Sequence, residues 1–153
     1  MKENLETADA SPRQNWIRLL SNADVTDLGT AFTALESGVS WHCITGPETG
    51  LLMVQARADG TGGRFYMGEV SVTKCVVEID ATYMGYGMVT GSDRDHARLA
   101  ALLDALLQHP AYHDELENGL LARLAEKQKK AARDLESCVA PTRVNFFTLK
   151  RGE

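Results

Sequence analysis

The stretch between Ser40 and Thr90 constrains this chain most. Short runs rich in β-branched and aromatic residues alternate there with glycine-bearing turns, while the residues on either side repeat leucine at helical spacing. Strands are expected over Ser40–Thr45, Leu51–Arg57, Arg64–Ile79 with a bend near Gly68, and Tyr83–Thr90. Turns this short favour antiparallel pairing, because parallel neighbours need a long crossover. The expected fold is therefore α+β, an antiparallel β-sheet covered by N-terminal and C-terminal helices.

The helical segments carry their own punctuation. Ser11 is a capping residue followed by Pro12, and Trp16, Ile17, Leu19 and Leu20 supply an apolar stripe that should end near Asn22. A second helix is expected from Asp24 through Leu28, Phe32 and Leu35, stopped by Gly38. After the strands, Ser92 and Asp95 form a capping-box pattern before Leu99, Leu102, Leu103, Leu106 and Leu107, and Pro110 closes that helix. A last helix, kinked at Gly119, turns charged from Glu126 to Arg133 and is bounded by Pro141. At 153 residues the chain holds one core, not two. Residues 1–10 are polar and aperiodic and read as a disordered leader, leaving 11–153 as a single domain.

An apolar fraction of 44% and a charged fraction of 24% exclude neither folding nor solubility, and the formal charge of −5 gives no general pull toward nucleic acid or anionic lipid. Cys43, Cys75 and Cys138 form no CxxC pair and are odd in number, so reduced thiols are expected. No signal-peptide core or membrane-length apolar run is visible, and a cytoplasmic location is the expectation.

The most suggestive stretch is QARADGTGGR, Gln55 to Arg64. Its glycines let backbone amides approach an anion, Thr61 adds a hydroxyl, Gly62 lies in the turn, and Arg57 and Arg64 offer forked donors suited to phosphate or phosphonate oxygens. If the two arginines face each other, their repulsion calls for an anion or an acidic partner. The plain alternative is a hairpin loop with two solvated arginines; with no GK[ST] and no following helix, it is not a P-loop.

His96 falls on the Leu99, Ala100 and Leu103 face of its helix, where it serves either as acid, base or ligand at an interface or, the favoured reading, as a hydrogen-bonded structural histidine. His109 and His113 have helical metal spacing but are separated by Pro110, and no metal site is assigned. Asp93, Asp95 and Asp104 form no secured catalytic set, since the first two suit a helix N-terminus. Lys127, Lys129, Lys130 and Arg133 alternate with acids as on a solvated helix face. The closing Val144, Phe146, Phe147 and Leu149 form either an arm that docks on another subunit or a strand of this sheet.

RQNWIRLL at Arg13–Leu20, ETGLLMVQARADGTGGRFYMGEVSVT at Glu48–Thr73, GYGMVTGSDRDHARLAALLDALLQ at Gly85–Gln108 and the terminal RVNFFTLKRGE together resemble the phosphonate metabolism protein family PhnG, the G subunit of the carbon-phosphorus lyase core complex. Gly63 lengthens the glycine loop relative to that pattern, and Ser92 stands where a basic residue is familiar. The resemblance implies a non-autonomous subunit of a transferase that displaces adenine from ATP with a phosphonate. It implies H, I and J partners in two copies each, with the L protein transient, and no cofactor on this chain. ATP is then the substrate of the complex, and an iron-sulfur centre using S-adenosylmethionine belongs to another subunit. A free-standing anion-binding domain built on the Arg57–Arg64 hairpin is the alternative.

Overall fold

The computed structural model describes residues 11–35, 38–58 and 61–142. Helix α1 spans Pro12–Ser21 and starts on a reciprocal capping box: the Gln14 amide donates to Ser11 Oγ at 3.3 Å, and the Ser11 amide donates to Gln14 Oε1 at 2.9 Å. Helix α2, Val25–Leu35, buries Leu28 and Phe32, one turn apart on its inner face.

Three strands follow, β1 at Trp41–Arg57, β2 at Arg64–Ile79 and β3 at Tyr83–Thr90, antiparallel in the order β1-β2-β3. The first two expected strands are one. Thr45 pairs with Val76 and Glu48 with Lys74, so Gly46 and Pro47 together oppose Cys75 in a bulge. Proline there forfeits no ladder bond, and beyond it the Thr49 and Thr73 hydroxyls lie 3.0 Å apart and hold the register. The bend at Gly68 is real: its φ is 150° and the pairing slips between Val54 and Gln55.

Thr73, Cys75, Val77 and Ile79 of β2 and Gly85, Gly87 and Val89 of β3 are buried, while alternate residues such as Lys74, Met84 and Tyr86 face outward. Helix α3, Arg94–Gln108, lies on the buried face and forms the centre of the molecule, with Ala97 and all eight residues from Ala100 to Leu107 buried. Its cap is Asp93, whose Oδ1 accepts the His96 amide at 2.9 Å, and not Ser92 as the sequence pattern suggested. An ionised carboxylate at the positive end of the helix outcompetes the hydroxyl one residue earlier.

His109 ends α3, and Pro110 opens α4, Pro110–Leu116. The irregularity expected at Gly119 is a single π turn, Glu117–Leu121, which leads into α5, Ala122–Val139. Lys127 and Arg123 of α5 hold the Asp27 carboxyl of α2 below the usual carboxylate range, Lys127 through a hydrogen bond. Helices from both ends of the chain thus gather on the α3 layer, as expected of this α+β domain. No helix among the described residues is long and apolar enough to cross a membrane. The leader 1–10 and the closing segment with Phe146 and Phe147 lie outside the described residues, so the choice between arm and strand does not arise from this structure.

Candidate functional site

Arg57 and Arg64 sit directly opposite one another at the end of the β1–β2 hairpin. The turn is closed by the Ala58 amide donating to the Gly63 carbonyl at 3.2 Å and the Gly62 amide donating to the Ala58 carbonyl at 2.7 Å. A Cβ on Gly62 would lie 2.4 Å from that Ala58 oxygen, so closure at this position requires glycine. Thr61 is exposed beside it, and Asp59 and Gly60 fall outside the described residues. The structure therefore brings Arg57, Thr61, Gly62 and Arg64 to one tip, with both guanidiniums exposed and neither ion-paired among the described residues. Two cations held across a ladder repel, and an anionic group between them would remove that penalty.

His96 is not part of this tip. Its Nε2 lies 2.9 Å from the Leu20 carbonyl at the end of α1. A carbonyl only accepts, so Nε2 carries the proton and the ring ties α3 to α1. His96→Ala should lower the stability of the isolated domain by roughly 0.5–1.5 kcal/mol in urea unfolding, the usual net cost of losing such a bond, since the Leu20 carbonyl keeps the Ala23 amide at 3.3 Å. An unchanged midpoint would remove the histidine from this structural role.

The remaining candidates are also engaged by the fold. Asp93 caps α3, Asp95 pairs with Arg98 at 2.7 Å, and Asp104 is fully buried elsewhere. His109 Nδ1 accepts the Ala111 amide at 3.1 Å, whereas His113 Nδ1 lies 2.6 Å from the Leu107 carbonyl. His113, Asp114 and Glu117 do cluster, but on the surface, with His113 Nε2 3.3 Å from Glu117. Burial, together with the neighbouring Cys43 thiol, pushes the Cys75 thiol up to about 11, so it is no nucleophile at neutral pH. No nucleophile, base and acid converge among the described residues.

Two features escaped the sequence reading. The first is a polar knot around Asp104, where Arg13 Nε and Nη2 donate to its two oxygens at 3.2 and 2.7 Å, Trp16 Nε1 donates at 2.8 Å and the Tyr86 amide at 2.9 Å. In addition Arg13 and Gln108 both donate to the Met84 carbonyl, at 3.0 and 2.7 Å. These bonds satisfy backbone groups along the free edge of β3. The second is the extent of apolar surface on the hairpin leading to the arginine tip, with Leu51, Leu52, Met53, Phe65, Tyr66, Met67 and Val70 all exposed.

Among the described residues the candidate titratable groups serve the domain's own packing and the projecting hairpin finds no cover, which are the features of a subunit built for assembly. Residues 11–152 match the family model of the phosphonate metabolism protein PhnG, and the chain belongs to that family. A curated relative, the alpha-D-ribose 1-methylphosphonate 5-triphosphate synthase subunit PhnG of Rhizobium meliloti (strain 1021), is 36% identical over 151 residues, 97% of this chain and 94% of its own length. The resemblance carried by the sequence motifs is thus borne out.

Proposed function

We propose that this chain is a non-autonomous subunit of the carbon-phosphorus lyase complex, acting in phosphonate catabolism with H, I and J subunits in two copies each and with the L protein transiently. The complex transfers a phosphonate to the ribose of ATP: a phosphonate oxygen forms the new bond to C1 as the bond from C1 to adenine breaks. Adenine leaves with the electron pair and takes up a proton, and the product is an alkylphosphonate ribose 5-triphosphate. ATP is the substrate of the assembly, the iron-sulfur and S-adenosylmethionine chemistry resides on another subunit, and this chain holds no cofactor of its own. Its place of action is the cytoplasm.

The observation that carries this reading is the kinship over nearly the whole chain with a protein named as a synthase subunit, joined to an inventory in which His96, Asp93, Asp104 and Cys75 are all occupied by the fold. A reaction that expels adenine needs a group to protonate or stabilise the leaving base, and this chain offers no free set for it among the described residues. Co-expression with the proposed partners and purification on a tag carried by this chain alone should recover the other subunits in fixed proportion. The isolated chain, mixed with ATP and methylphosphonate, should release no adenine. Recovery of the tagged chain by itself, or adenine release by it alone, would defeat the reading.

A further inference from the structure

Three cysteines punctuate the chain, and two of them meet. In the register of β1 against β2, Cys43 opposes Val77. Directly opposed residues share a face of the sheet, and so do residues two apart along one strand. Cys43, Val77 and Cys75 therefore lie on the face that carries α3. Val77 and Cys75 are fully buried there, while Cys43 is exposed among the described residues. The third thiol, Cys138, is exposed in the last turn of α5.

A regular ladder would keep the two thiols apart. Diagonal neighbours on adjacent strands stand about 7–8 Å apart at Cα, and a disulfide needs about 4.4–6.8 Å. Here the ladder is broken on both sides of Thr45. The register slips between Cys43 and Thr45 and again between Thr45 and Glu48, which leaves Ile44, Gly46 and Pro47 outside the one-to-one pairing. A bulged strand bends and twists more strongly than a regular one. The Cys75 thiol reaches across to β1 and donates to the Thr45 carbonyl at 3.5 Å, and the Cys43 thiol is its hydrogen-bonding neighbour. A cysteine that served only as a small apolar filler would be indifferent to both contacts.

We infer that Cys43 and Cys75 are a site of reversible disulfide formation, oxidised by a low-molecular-weight disulfide such as glutathione disulfide, and that the bond clamps the twice-bulged stretch of β1 to β2. This goes beyond the subunit reading and does not depend on it. Burial sets the order of events, since a small oxidant meets Cys43 and cannot reach Cys75. The Cys43 thiol gives its proton to solvent and its thiolate attacks one sulfur of the oxidant, whose S–S bond breaks and whose other half leaves as a thiolate and is protonated. The Cys75 thiol then gives its proton to solvent and its thiolate attacks Cys43 Sγ, expelling the second half of the oxidant. In all, two protein thiols lose two electrons and one disulfide is reduced to two thiols. Burial, the larger cause, and the Cys43 thiol raise the Cys75 thiol to about 11, so the second step is the slow one. The loop closed between positions 43 and 75 contains the whole glycine-bearing hairpin, and a crosslink across a loop of that length takes entropy from the unfolded chain.

The test uses the full-length chain carrying Cys138→Ser, so that only this pair can react. Incubated with glutathione disulfide, the chain should first gain the mass of one glutathionyl group and then settle two hydrogens lighter than the reduced chain. A digest run without reductant should yield one peptide joining Cys43 to Cys75, and dithiothreitol should reverse the change. The second step should quicken about tenfold from pH 7 to pH 8 and again from pH 8 to pH 9, because the thiolate of a thiol at about 11 grows tenfold per pH unit over that range. The oxidised chain should melt roughly 5–15 °C above the reduced one. With Cys75→Ser added, the glutathionyl group should stay on Cys43; with Cys43→Ser added, the folded chain should take up none. The peptide mapping and the pH dependence leave both cysteines in place and stand if those two variants fail to fold. A glutathionyl group that stays on Cys43 at pH 9, direct reaction of Cys75 in the folded Cys43→Ser chain, or a link between Cys43 of two chains would overturn the site. A bond that forms without raising the melting temperature would overturn the clamp.

Discussion

Asp104→Ala should cost the isolated domain about 3–5 kcal/mol, because it removes a fully buried acceptor and leaves its donors behind. Two of those donors are the Trp16 indole N–H and the Tyr86 backbone amide. Arg13 also loses the carboxylate that raises its guanidinium above the ordinary value, chiefly through their hydrogen bond. A loss of this size corresponds to roughly 6–20 °C in melting temperature for a chain of this length, and it is a large share of the 5–15 kcal/mol that typically holds a domain. Asp104→Asn should fall between, since the amide keeps one acceptor but turns its NH2 toward donors. Arg13 is half exposed at 44% of its side chain, so Arg13→Ala should cost less than Asp104→Ala. In a double-mutant cycle the two should couple by more than about 1 kcal/mol, as contacting members of one network do. Additive effects, or an Asp104→Ala melt within a degree or two of wild type, would show that the knot does not hold α1 and β3 to α3.

This knot marks the boundary of what the amino-acid pattern reveals. Elements whose residues are punctuated locally are legible: Ser11 with Pro12 announces α1, the alternation in Tyr83–Thr90 announces β3, and Gly68 announces the bulge. Where two local signals compete, the pattern misleads by a residue or a turn. Asp93 displaces Ser92 as the cap, and Gly46–Pro47, which looks like a turn, becomes a bulge because Glu48 and Thr49 find partners on β2. Arg13 and Asp104 are 91 positions apart, and no periodicity links them. The opposition of Arg57 and Arg64 is legible as a possibility in a glycine-bearing hairpin, and the register makes it fact. That no other described element covers the apolar residues of Leu51–Ala56 and Phe65–Val70 is not legible, because their alternation looks the same whether a third strand and a helix lie over them or not. Only the end of β3 at Thr90, opposite Val72, separates the part of the hairpin that carries a third strand from the part that does not.

The glycines of β3 should be as sensitive as Asp104. In the run GYGMV, Gly85 and Gly87 point at α3, and a Cβ built on them would lie 1.9 Å from the Ala101 carbonyl oxygen and 2.1 Å from that of Ala97. Those are helix backbone atoms, so no rotamer change relieves the contact and the whole of α3 would have to lift from the sheet. Lifting it would loosen Val77, Ile79, Leu103 and Leu106, which are buried to within 1% of complete. Overpacking a core usually costs about 1–3 kcal/mol, and a clash with rigid backbone belongs at or above the upper end. Gly85→Ala is therefore expected to cost roughly 3 kcal/mol or more, equivalent to about 6–12 °C in melting temperature, with Gly87→Ala close behind. Gly50→Ala is the control: it sits in a strand, a Cβ there meets nothing within 4 Å, and removing backbone freedom should leave stability unchanged or raise it by up to about 1 kcal/mol. Thermal melts of the three variants read the difference directly. A Gly85→Ala protein that melts like Gly50→Ala would mean that α3 does not lie on the backbone of β3, and the layer on which α1, α2 and α4 rest would need to be redrawn.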